Sequence, residues 1–176
     1  LVERMGGSIS FTSRLGEGTT FRIQLSFRVD PSVQEEEAPT EAQTVQDHNR
    51  LQGIRLLLVE DNELNMEIAQ FLLEGEGVTV MKAWNGQAAV EEFAAMAPGS
   101  CDVILMDVMM PVLNGLDATK AIRAMDRPDA KTIPIFAMTA NAFADDEERS
   151  RAVGMNEHIT KPLNIDQIVA TIKKYC

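Results

Sequence analysis

Asp102-Val103-Ile104-Leu105-Met106-Asp107-Val108-Met109-Met110-Pro111 is the stretch on which the reading of this chain turns. Its apolar run fits a buried strand, and the run ends on a carboxylate, Asp107, just before a loop. The same arrangement recurs on both sides. Leu56-Leu57-Leu58-Val59 ends on Glu60-Asp61, the run Ile133 to Met138 ends on Thr139, and Glu157 to Thr160 ends on Lys161. Four strand ends thus carry acid, acid, hydroxyl and amine.

Helical patterns fill the gaps between the runs. Leu64, Ile68, Phe71 and Leu72 recur at i, i+4, i+7 and i+8 and predict an apolar helix face. A second helix begins near Asn85 and buries Ala89, Val90 and Phe93. A third, from Gly115 to Met125, has Ala118, Ala121 and Ile122 as its apolar side. Ala142 to Val153 is helical with Gly154 as its stop. The last starts at the N-cap Asn164, with Gln167 three residues on, and turns Ile165, Ile168, Val169 and Ile172 inward. With a further strand at Val78 to Ala83, five strands each precede a helix. That alternation predicts an α/β domain over residues 53–176, a parallel sheet covered on both faces. Ligands of such sheets lie beyond the carboxyl ends of the strands, where Glu60, Asp61, Asp107, Thr139 and Lys161 fall.

The rest of the chain reads differently. Residues 1–29 alternate polar and apolar around Gly16-Glu17-Gly18, which predicts a β-hairpin. A lone hairpin is marginally stable in water, so this piece is expected to be the tail of a larger domain. Residues 30–52 are rich in Pro, Glu, Gln and Thr and poor in aliphatics, an acidic, flexible linker by composition. The net charge of −11 disfavours a nucleic-acid surface, and no apolar stretch nears the length of a membrane helix. Cys101 and Cys176 lack metal spacing and fit a reduced, cytoplasmic setting, which a membrane-anchored parent would also allow.

Carboxylates gathered at one sheet edge suit Mg²⁺, which takes oxygen ligands at about 2.0–2.1 Å and keeps several waters. Asp61 and Asp107 can supply carboxylates and the Met109 backbone carbonyl a neutral ligand. Crowded carboxylates repel until metal binds, which then leaves Asp107 ionised and able to attack phosphorus. Lys161 is placed to balance phosphoryl charge, and it precedes Pro162, where a cis peptide is expected. Thr139 offers a hydroxyl that can move toward the phosphate. Singly, each residue has an ordinary role, as helix cap or solvated lysine. Jointly, five such residues at strand ends favour phosphoryl transfer.

The motifs Leu58-Val59-Glu60-Asp61-Asn62, Leu105 to Pro111, Ala137-Met138-Thr139-Ala140 and Thr160-Lys161-Pro162 resemble those of a response-regulator receiver domain of two-component signalling. The resemblance covers residues 53–176 and implies a flavodoxin-like (βα)5 sheet of order 2-1-3-4-5. It implies that Asp107 is the phosphoacceptor, that Asp61 binds metal directly and Glu60 through water, that Thr139 is the switch hydroxyl and that Lys161 binds phosphate. His158 stands where the family often has an aromatic switch residue. Met109 and Asn141 flank the water path to the phosphate. Residues 1–29, with Met5-Gly6-Gly7-Ser8-Ile9 and Gly16-Glu17-Gly18-Thr19-Thr20-Phe21, resemble the end of a histidine-kinase ATP-binding domain. The implied parent is a hybrid sensor histidine kinase, although this segment lacks the kinase core, so enzyme status stays open. Implied partners are a phosphohistidine-bearing kinase domain and a histidine phosphotransfer domain, docking around Ala142–Arg151 and Ile165–Lys173. Two other readings are a non-phosphorylated domain that docks on its kinase and an Asp-nucleophile phosphatase. The latter needs an acid two residues after the nucleophile, where Met109 stands.

Overall fold

The computed structural model describes residues 2, 6–14, 18–26, 49–140 and 144–176, with the side chains of 144–146 left aside. The chain divides into two compact units, residues 1–44 and 45–176. In the first, β1 (Ser8–Arg14) and β2 (Gly18–Gln24) form an antiparallel hairpin, with Ile9 opposite Ile23 and Phe11 opposite Phe21. All four side chains are at least half exposed, so the hairpin carries an uncovered apolar face. The predicted turn at 16–17 and nearly all of the predicted linker lie outside the described residues.

The second unit contains β3 (Arg55–Val59), α1 (Glu63–Gly75), β4 (Thr79–Ala83), α2 (Gly86–Ala95), β5 (Val103–Asp107), α3 (Gly115–Arg123), β6 (Ile135–Thr139), α4 (Ala144–Ala152), β7 (Glu157–Thr160) and α5 (Ile165–Tyr175). The five strands are parallel in the order β4-β3-β5-β6-β7, the predicted flavodoxin-like order. Side chains alternate across a strand, so one apolar run feeds two cores. Leu56, Leu58, Val103 and Leu105 enter one core, with Leu73 of α1 and Ile168, Val169 and Ile172 of α5. Leu57, Val59, Ile104 and Met106 enter the other, with Ala89 and Phe93 of α2 and Ala118 and Ile122 of α3. All five residues of β5 are buried, which makes it the centre of the sheet.

Asn62, Asn85, Asn114 and Asn164 each accept the backbone N–H three residues on, so four helices start from the same cap. Helix α1 corrects the predicted inner face. Its buried residues are Met66, Ala69 and Leu73, whereas Leu64, Ile68 and Phe71 are 64%, 49% and 79% exposed. The helix carries two apolar stripes, and periodicity alone does not say which meets the sheet. The composition-based linker also ends earlier than residue 52. Leu51 is buried in the α1/α5 core, and Arg50 hydrogen-bonds Glu76 at the end of α1 and Asp166 in the first turn of α5.

Candidate functional site

Parallel pairing sets the site. The register Val59↔Met106 and Asp107↔Met138 stops β3, β5 and β6 at nearly the same level. Residues that leave those strands therefore meet at one edge. Glu60 is 2% and Asp107 6% exposed, while Asp61 faces solvent. One carboxylate oxygen from each of the three lies within 4.8 Å of the others. Lys161 reaches this group from the end of β7. Its Nζ donates to Asp107 Oδ2 at 2.7 Å and to Glu60 Oε2. The Lys161–Pro162 peptide is cis, as expected, and the Lys161 N–H donates to the Thr139 carbonyl at 2.8 Å. That bond ties the lysine's backbone to the end of β6.

The loop after β5 returns over the nucleophile candidate. Met109 N–H donates to Asp107 Oδ1 at 3.0 Å. Gly115 N–H reaches the Val108 carbonyl at 3.1 Å, closing the loop. Only glycine fits at 115, because a Cβ there would stand 2.1 Å from the Asp107 carbonyl oxygen. Exposed Val112 adopts φ +70°, an uncommon conformation for a β-branched residue and a mark of local strain beside the site.

The electrostatics follow from burial. Desolvation raises the pKa of Asp107 above its ordinary value, and the Lys161 ammonium and the Met109 N–H offset part of that rise. Lys161 feels desolvation too, which alone would lower it, but bonds to Asp107 and Glu60 outweigh this and raise it. Three carboxylates face one ammonium here. A compact, oxygen-only donor set with one solvent-facing member suits a hard divalent cation such as Mg²⁺.

Thr139 ends β6, beside β5, and is half-buried. It borders a cavity of about 340 Å³ together with Val108, Met109, Leu116, Ser150 and His158. His158 lies on β7, half-buried, and its Nε2 contacts the hydroxyl of fully buried Ser150 on α4. Asn141 lies outside the described residues. Two contributors escaped the sequence reading. Ser150 has no motif to betray it. Asn65 donates from its side-chain amide to Glu60 Oε1 at 3.0 Å. The pair Asn62-x-x-Asn65 in a first helical turn was the one signal available for it.

A family model described as "Response regulator receiver domain" matches residues 56–173. The aerobic respiration control sensor protein ArcB of Escherichia coli (strain K12) is 37% identical over 176 residues, 99% of this chain. The chain spans 21% of the length of that protein. Among solved structures, the receiver domain of sensor histidine kinase PA1611 from Pseudomonas aeruginosa PAO1 has a TM-score of 0.63 and 34% identity. The match covers 70% of this chain and 97% of that one, whose active-site cleft coordinates a magnesium ion. A Saccharomyces cerevisiae complex of the histidine phosphotransfer protein Ypd1 with the receiver domain of Ssk1 gives a TM-score of 0.61 at 29% identity, covering 69% of this chain and 88% of that one. Among the described residues, no helix is long and apolar enough to cross a membrane.

Proposed function

The chain belongs to the response-regulator receiver family of two-component signalling, and from that premise we propose that Asp107 accepts a phosphoryl group from a phosphohistidine and passes it to a histidine phosphotransfer partner. One observation carries the assignment. A single ammonium, Lys161, is shared between two buried carboxylates, Glu60 just after β3 and Asp107 at the end of β5. Burying that much charge costs folding energy without a use for it.

In the proposed step an Asp107 oxygen attacks phosphorus. A P–O bond forms as the P–N bond to the donor histidine breaks, and the electron pair of the broken bond stays on the imidazole. Asp61, Asp107 and the Met109 carbonyl, with Glu60 through water, would hold Mg²⁺, which when bound would supply positive charge for the phosphoryl oxygens. Lys161 leaves Asp107 Oδ2 and donates to a phosphoryl oxygen. The Thr139 hydroxyl supplies a second donor and, by moving, opens the cavity beside His158 to change. Transfer to the next histidine runs the same bonds in reverse.

A macromolecular donor must cover the rim of this pocket. Helix α1 starts two residues after Asp61 and exposes Leu64, Ile68 and Phe71 in one stripe, which favours α1 as part of the docking face beside the α4–α5 side. The segment's place in a longer sensor kinase, with residues 1–29 as the end of its ATP-binding domain and residues 30 to about 48 as linker, belongs to the same proposal.

Acetyl phosphate with Mg²⁺ should add one phosphoryl group, read by intact mass, and Asp107→Asn should take up none. A variant labelled as well as wild type would overturn the assignment. Phe71→Ser should slow transfer from a phosphohistidine domain about tenfold, a typical cost for an interface aromatic, and leave uptake from acetyl phosphate unchanged.

A further inference from the structure

We propose that Asn65 is a positioning residue for magnesium, acting through Glu60; this rests on the phosphoacceptor reading above. Glu60 is 2% exposed, so each of its oxygens needs a partner. Oε2 has Lys161. Oε1 has the Asn65 side-chain amide at 3.0 Å and, at a longer 3.4 Å, the Asn62 N–H. The two oxygens will fare differently during turnover. Lys161 also holds Asp107, and it is the group that must turn toward an incoming phosphoryl oxygen. Once it turns, Oε2 has lost its protein donor. Asn65 is then the side chain that keeps Glu60 from rotating, which would leave Oε2 available to a water on the cation.

The fold separates this task from the integrity of α1. Asn62 Oδ1 accepts the backbone N–H of Asn65 at 3.1 Å, so the helix cap does not use the Asn65 side chain. The cap fixes the backbone of residue 65 one turn into the helix, and the amide reaches back to a residue five positions earlier. Oriented groups behind a metal ligand commonly change metal affinity about 10- to 100-fold when removed.

The test is a Mg²⁺ titration of the full chain, followed by amide NMR shifts around Glu60, Asp61 and Asp107. Asn65→Ala should weaken binding about tenfold. Asn65→Leu, of similar size but unable to donate and without added charge, should weaken it at least as much. Both leave a buried Glu60 oxygen short of a donor and should lower the metal-free thermal midpoint, so affinities are compared at a temperature where each variant is fully folded. In a Glu60→Gln background the Asn65→Ala effect should shrink below about twofold, because residues coupled through one partner are non-additive. Equal Mg²⁺ affinity of wild type and Asn65→Ala overturns the inference and leaves the phosphoacceptor reading standing. So does a loss of the same size in the Glu60→Gln background, which would mark a structural role. A wild type that binds no Mg²⁺ overturns both.

Discussion

The two edges of the sheet use the same residue types to opposite ends. At the amino edge, Arg123 donates to the carbonyls of Ala130, Ile133 and Gly154 and to Asn156 Oδ1. Arg127 pairs with Asp129 at 2.6 Å and also reaches the carbonyls of Phe93 and Met96. Arg55 pairs with Asp102 at 2.7 Å. Each charge there ends in a closed set of partners. At the carboxyl edge, Glu60 and Asp107 share Lys161, with the Asp61 carboxylate beside them. Charge whose hydrogen bonds all end on fixed partners staples loops together; carboxylates crowded around one ammonium are available for chemistry.

The largest separation of the two edges should come from their cations. Lys161→Met should cut the phosphorylation rate about 10²- to 10³-fold, the usual loss when one charge-stabilising donor is removed, while the protein stays folded. Arg123→Ala should do the reverse. It strands three carbonyls and should lower the unfolding free energy by about 3 kcal/mol in denaturant titrations, with phosphoryl uptake per folded molecule unchanged. If Arg123→Ala reduced uptake and left stability alone, the division of labour between the edges would be wrong.

A smaller, more diagnostic difference lies in pH. Asp107 has a folded pKa above its ordinary value, raised chiefly by burial. It therefore favours folding when protonated, below its unfolded pKa, and that contribution is lost as pH rises through the folded value. Asp107→Asn should raise the metal-free thermal midpoint at pH 7, and the gain should fade in acid. Asp129 has the opposite sign. The hydrogen bond from Arg127 lowers its pKa to about 2. Its stabilisation is present above the ordinary carboxylate range and is lost as pH falls through about 2, so Asp129→Asn should lower the midpoint at pH 7. Melts of both variants across pH would show slopes of opposite sign; parallel slopes would remove the contrast.

The edge that carries the candidate site was largely legible because strand ends are marked in one dimension. An apolar run that stops at Asp107 or at Glu60-Asp61 announces its own carboxyl end, and parallel pairing does the rest. The α1 face was not legible. Leu64, Ile68 and Phe71 satisfy helical period as well as Met66, Ala69 and Leu73 do, and only the sheet decides which stripe is covered. Leu51 and Arg50 were hidden by an acidic neighbourhood whose composition reads as linker throughout. Asn65 was hidden because its partner lies across a strand-to-helix turn, a separation that follows no repeat.

By itself the chain's order of residues determined the class of fold, the strand sequence, the Asn164 cap and which side chains stand at the carboxyl edge. These depend on local periodicity and on strand polarity, which neighbouring residues encode. Tertiary packing alone decided that Lys161 would share itself between Glu60 and Asp107, 101 and 54 positions away, and that Asn65 would hold the former. It also decided that a second apolar stripe would remain in water. Such choices depend on distances between elements far apart in the chain, and those exist only once the cores on the two faces of the sheet have closed.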